Sequence, residues 1–158
     1  MTKHDFFAKA ISAALAAGHI FPEYAVCEAA LESAWGESQL AHQANNLFGQ
    51  KAGFTEAKAE TIQLQTREFL HGHWFTVPAL WPKFADWTES FKARMELLRG
   101  SHLYANAMDA ENGEQFVTCV SKVWSTDPHR SYTVLLIFRQ NQGLIEAVEP
   151  QATAAAGE

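Results

Sequence analysis

The chain has 158 residues and a mass of 17.6 kDa; 47% of the residues are hydrophobic and 19% charged, and 12 Lys plus Arg against 18 Asp plus Glu give a formal charge of −6. A single globular domain of this size buries roughly 70% of the surface of its unfolded chain, so neither a disulfide scaffold nor a structural metal is needed to stabilise it. The acidic balance and the lack of any basic stripe exclude a nucleic-acid binder, and no apolar run reaches the roughly 18 residues of a membrane span.

The first segment, MTKHDFFAKAISAALAAGH, is broken by His4, Asp5 and Lys9 and spaces Ala8, Ile11 and Leu15 helically. It reads as an amphipathic helix and not as a signal peptide, so cytoplasmic synthesis is expected. Cys27 and Cys119 are expected as two reduced thiols, although a single bridge between them is the other arrangement open. The second helix starts at Pro22, places Cys27, Ala30, Leu31, Ala34 and Trp35 on its buried face, and is ended by Gly36. Asn45-Asn46-Leu47-Phe48-Gly49 then suits a tight, side-chain-braced turn.

From about Thr61 the period changes to two. Ile62, Leu64, Thr66, Glu68 and Leu70 share one strand face, His71-Gly72-His73 is a hairpin turn, and Trp74 to Leu80 returns until Pro82. Helices resume at Asp86-Trp87-Thr88, with Phe91, Met95 and Leu98 inward and Gly100 at the end. Phe116, Val120 and Val123 mark a further helix, and Leu135 with Phe138 the last. No linker or repeat divides the chain, so one domain is expected over residues 1–146. Residues 147–158 hold no large apolar side chain after Val148 and are expected to be a frayed tail. The fold class is α+β, mostly α, with a cleft between a helical part and a small hairpin.

Two carboxylates stand beside apolar patterns. Glu32 follows Leu31 at the edge of the helical stripe, and Glu68 lies on the strand face of Ile62 and Leu64. The run Ala29-Ala30-Leu31-Glu32-Ser33-Ala34-Trp35-Gly36-Glu37-Ser38-Gln39-Leu40-Ala41, followed by Asn45-Asn46-Leu47-Phe48-Gly49-Gln50-Lys51-Ala52, resembles the signature of bacterial endo-β-N-acetylglucosaminidases, the family 73 glycoside hydrolases. Thr66-Arg67-Glu68-Phe69, Phe84-Ala85-Asp86-Trp87 with Glu89-Ser90-Phe91, and Ser125-Thr126-Asp127-Pro128 through Tyr132 extend the resemblance over residues 6 to 145.

The resemblance implies a lysozyme-like fold: a helical lobe, a β-hairpin lobe and a substrate groove between them. It further implies cleavage of the β-1,4 bond between N-acetylglucosamine and N-acetylmuramic acid in peptidoglycan glycan strands, with Glu32 as general acid, Glu68 as second carboxylate and Tyr132 beside the cleft. The chemistry requires a protonated acid next to the leaving oxygen, and a second carboxylate can activate water or stabilise an oxocarbenium-like transition state. A carboxyl separation of roughly 6.5–9.5 Å would mean inversion and about 5–5.5 Å retention. The substrate's 2-acetamido group is an alternative to Glu68.

Glu28 stands where the family often carries Gln. It is expected either to disfavour ionisation of Glu32 as a like charge four residues away or to point into solvent. Trp74 and Trp124 are candidate sugar-stacking residues. Asn46 and Phe48 are further candidate substrate contacts, Asn45 and Asn46 also being suited to bracing their turn, while Trp35, Trp81 and Trp87 are expected mainly in the core. His71 and His73 lack a third ligand, so neither metal nor cofactor is expected. A monomer is expected that is made in the cytoplasm and acts on the wall after release, as a phage or prophage endolysin does. The rival functions are a muramidase, a lytic transglycosylase, or a non-enzymatic glycan-binding or flagellar-assembly module. With no basic patch to screen, activity is expected to tolerate salt.

Overall fold

The computed structural model describes residues 1–51 and 60–157; Ala52 of the motif and Glu158 of the expected tail lie outside them. The elements are α1 (Lys3–Ala16), α2 (Pro22–Glu32), α3 (Gln39–Ala44), β1 (Thr61–Leu70), β2 (His73–Pro82), α4 (Trp87–Gly100), a 3₁₀ turn (His102–Tyr104), α5 (Ala105–Met108), α6 (Gly113–Trp124) and α7 (Arg130–Ala156). The architecture is mostly helical with one small antiparallel sheet, in keeping with the periodicity change at Thr61. No helix among the described residues is long and apolar enough to cross a membrane.

The core surrounds α2, whose small residues Ala25, Ala29 and Ala30 let α1, α6 and α7 approach it closely. Phe6, Phe7 and Ile11 of α1, Phe91, Met95 and Leu98 of α4, and Phe116 and Val120 of α6 fill the remaining volume. Cys27 is buried and Cys119 half-buried, and neither is bridged.

The second helix ends four residues before the expected Gly36. Ser33 Oγ donates to the Ala29 carbonyl at 2.6 Å and accepts from Gly36 N at 2.8 Å, while Ala34, Trp35 and Gly36 turn left-handed with φ of 50°, 59° and 79°. Serine thus offers the backbone a local alternative to helix. Trp35 still packs edge-on against Phe6 and Phe7, but Ala34 is exposed. Glu32 becomes the last helical residue, at a lip of the lobe.

The expectation of a frayed tail from Ala147 is corrected. Helix α7 continues to Ala156, burying Val148 and Ala152 in the core cluster. Small residues suffice because α7 lies along α1, itself rich in alanine, so closely spaced backbones replace large side chains.

His19 carries a consequence for stability. Buried between Phe91 and Phe116, it donates from Nδ1 to the Ile20 carbonyl at 2.6 Å. Burial, aided by nearby Arg94, pulls its pKa down from 6.5 to about 4. The folded state therefore resists protonation that the unfolded chain accepts, and stability held above pH 6.5 is lost as the pH falls toward 4, by up to about 3 kcal/mol. Urea unfolding at a series of pH values is expected to show this slope, and His19→Leu to flatten it.

Candidate active site

Glu32 reaches the surface at the end of α2, its side chain 25% exposed. Its Oε1 accepts a hydrogen bond from Arg130 Nε at 2.9 Å. Arg130, the first residue of α7, is buried, and its Nη1 donates to Ser121 Oγ at 2.8 Å and lies 2.9 Å from Glu28 Oε2. Arg94 of α4 reaches the same carboxylate, its Nη2 standing 3.0 Å from both Glu28 oxygens. Two guanidiniums and two carboxylates form one cluster beneath the lip.

Glu28 is thus neither solvated nor an unpaired like charge, which corrects both expected placements. Its side chain is fully buried. Burial alone would raise its pKa, but Arg94 and Arg130 outweigh that and hold it below the ordinary range. Arg130, bridging Glu28 and Glu32, carries a raised pKa: burial disfavours its charge, and the two carboxylates more than offset the penalty. Arg94 sits against the rings of both Phe48 and Trp124, at 4.4 and 4.3 Å from their centroids. Such cation–π contacts partly replace its lost water, for Nε and Nη1 of Arg94 have no hydrogen-bond partner among the described residues.

Phe48, a candidate sugar contact by sequence, is therefore a buried cover for Arg94. Asn46 is likewise buried. Its Nδ2 donates to the carbonyls of Gln50 (2.9 Å) and Pro82 (3.4 Å), and its Oδ1 accepts from Gln50 N (3.1 Å). Asn45 Nδ2 donates to the Phe84 and Ala85 carbonyls. The Asn pair clips the end of the hairpin to the helical lobe. Asn46→Ala, which strands buried backbone groups, is expected to cost roughly 2–3 kcal/mol in urea unfolding.

Glu68 sits on the hairpin face that also carries the half-buried Ile62, Leu64 and Thr66, and Lys51 Nζ lies 3.4 Å from its Oε1. Both partners are substantially exposed, so this pair is weak and exchangeable. Lys51 also lines a depression of about 350 Å³ with Gln50, Leu97, Tyr104 and Trp124. A second one, of about 670 Å³, is lined by Ser121, Trp124, Ser125, Asp127, Pro128 and Ser131 among others. Trp124 forms a wall of both and touches Arg94. It is the sequence-chosen aromatic that the structure brings to the site.

Trp74 is exposed as expected, at 61%, but on the other face of the hairpin. Phe69 pairs with Trp74 and Glu68 with Phe75, and neighbours along a strand point oppositely. Trp74 therefore packs on Phe69 and Arg67, turned away from Glu68. Phe75, 47% exposed, shares the face of Glu68. Sequence reading missed it, although counting back from the His71-Gly72 turn pairs it with Glu68.

Tyr132 is 62% exposed, and among the described residues no side-chain hydrogen bond links it to Glu32. It lies two residues from Arg130 on α7, about 200° round the helix, and Arg130 takes the inward side. Arg94 and Arg130 were the other residues missed, 66 and 98 positions from the carboxylates they bind.

Comparison with known proteins accords with this architecture. Residues 8–142 match the glucosaminidase family, described as mannosyl-glycoprotein endo-β-N-acetylglucosaminidase. The chain is 32% identical over 116 residues (70% of its length, 40% of the relative's) to the exo-glucosaminidase LytG of Bacillus subtilis. It is 34% identical over 140 residues (85% and 33%) to the peptidoglycan hydrolase FlgJ of Pseudomonas aeruginosa. It thus spans well under half the length of either. The catalytic domain of the Listeria monocytogenes autolysin Auto superposes with a TM-score of 0.76 at 24% identity, covering 92% of this chain and 88% of that one. Such a match in fold, a family match across most of the chain, and the helical lobe joined to a hairpin lobe together show that the chain belongs to the glucosaminidase family and has its lysozyme-like fold.

Proposed function

We propose that this domain is a peptidoglycan hydrolase that cleaves the β-1,4 bond between N-acetylglucosamine and N-acetylmuramic acid, with Glu32 as general acid. The observation that carries the reading is Glu32 itself: a carboxyl group at the lobe's lip with one oxygen held by a buried arginine and a partly exposed side chain. Family membership and the names of LytG and FlgJ support the substrate class.

In the proposed step the Glu32 O–H bond breaks as the glycosidic oxygen takes its proton. The C1–O bond then yields its electron pair to that oxygen. Water adds at C1 and loses its proton to a base, for which Glu68 is the proposed group. Lys51 would exchange its contact with Glu68 for solvent or sugar as the groove fills.

Mass spectrometry of purified peptidoglycan after digestion tests the bond assignment. New reducing-end N-acetylglucosamine is expected; muramic or anhydromuramic ends would overturn it and favour a muramidase or lytic transglycosylase. The hairpin geometry adds a kinetic expectation. A sugar covering about 40 Å² of the Phe75 ring gains about 1 kcal/mol, so Phe75→Ala should raise KM roughly fivefold. Trp74→Ala, on the far face, should leave KM within about twofold, and the reverse ranking would show that the outer face binds glycan.

A further inference from the structure

We propose that Arg130 is a positioning residue for Glu32: it occupies Oε1 and so confines the transferable proton to Oε2, the oxygen left for the groove. This rests on the reading of Glu32 as the proton donor. A guanidinium N–H can only donate, and Oε1 can accept it whether the carboxyl group is neutral or ionised. When Glu32 is neutral, Oε1 serves as its carbonyl oxygen and the proton resides on Oε2. When the proton leaves with the glycosidic oxygen, the charge remaining on Glu32 develops against Arg130 Nε–H, 2.9 Å away. One contact thus orients the acid in the ground state and stabilises the carboxylate formed in the transition state.

The side chain is built to stay in place. Nη1 is fixed by Ser121 Oγ and Glu28, and the guanidinium is buried. Its field at Glu32 is moderated by the groups around the cluster: Glu28 on α2, Arg94 on α4, Tyr104 after α4, and His19 before α2. Glu28 opposes the two arginines, so its influence on Glu32 passes through Arg130.

Lysine cannot reproduce the fork that reaches Glu32, Glu28 and Ser121 together. Arg130→Lys is expected to lower kcat roughly 10²-fold with KM within about twofold, because the charge is kept and the alignment lost. Arg130→Met, which removes the N–H donor as well as the charge, should lower kcat at least as far, again with little change in KM. A merely structural arginine would not lower kcat alone once activity is normalised to folded protein. A measurement on the parent protein makes the test independent of variant folding: the NMR resonance of Arg130 Nε–H should lie downfield and exchange slowly with solvent, as a buried hydrogen-bonded donor does, and both features should weaken in Glu32→Ala, which removes the acceptor. Unchanged kcat in folded Arg130→Lys, or an Nε–H signal indifferent to Glu32→Ala, would overturn the proposal. Full activity in Glu32→Gln would instead overturn the reading on which it rests.

Discussion

Glu32→Gln is expected to reduce peptidoglycan cleavage by roughly 10²–10⁴-fold, the usual worth of a positioned general acid. The amide is nearly isosteric, and its oxygen can still accept from Arg130 Nε, so the buried cluster keeps its geometry. What is lost is the acidic proton on the groove side. KM should change little, since the groove walls, Trp124 and the hairpin are untouched, and the thermal midpoint should stay close to the parent's. Release of soluble reducing ends, normalised to folded protein, gives the comparison. Parental activity in the variant would mean that another group protonates the leaving oxygen.

The largest effect on stability is expected at Glu28. Replacing it by Gln keeps the shape but leaves Arg94 and Arg130, both buried, with only the partly exposed Glu32 as counter-charge among the described residues. Removing one member of a buried ionic cluster costs about 3–5 kcal/mol, which in a chain of this size lowers the melting temperature by roughly 6–20 °C. The pH dependence has a definite sign. Because Glu28 is held below its ordinary carboxylate pKa of 4.5, its contribution is fully present above that value and is lost as the pH falls through the lower folded-state value. The parent should therefore lose stability on acidification from two sources in sequence, His19 first below pH 6.5 and then Glu28 below pH 4.5. Glu28→Gln should retain the first slope and lack the second. A variant as stable as the parent at pH 7 would show that Arg94 and Arg130 find other compensation.

Much of this arrangement is visible in the order of the residues. The small residues of α2, the Asn pair, and the alternation from Ile62 to Glu68 each report a local geometry, and the resemblance of the Glu32 segment points to the proposed acid. The alternation contained more than was drawn from it: once the turn is His71-Gly72, antiparallel pairing sets Phe75 beside Glu68 and Trp74 behind it. The ionic cluster is different. Arg94 falls on the apolar face of α4, three residues after Phe91 and four before Leu98, which marks it for burial, but its partner is not marked, and only the packing of α4 and α7 against α2 brings its guanidinium to Glu28. The same packing explains Tyr132, whose side is decided by Arg130 turning inward. It also explains the tail, where Ala152, without apolar bulk, is buried by helices that approach closely.

The most direct test of the proposed groove is a crystal structure of Glu32→Gln with a peptidoglycan glycan fragment containing an uncleaved β-1,4 bond. The account predicts the glycosidic oxygen within hydrogen-bond distance of the side chain at position 32, Arg130 still on its other end, and the sugars running between Trp124 and the Glu68–Phe75 face of the hairpin. Sugars seated instead on the outer face at Trp74, with position 32 beyond reach of any glycosidic oxygen, would contradict it.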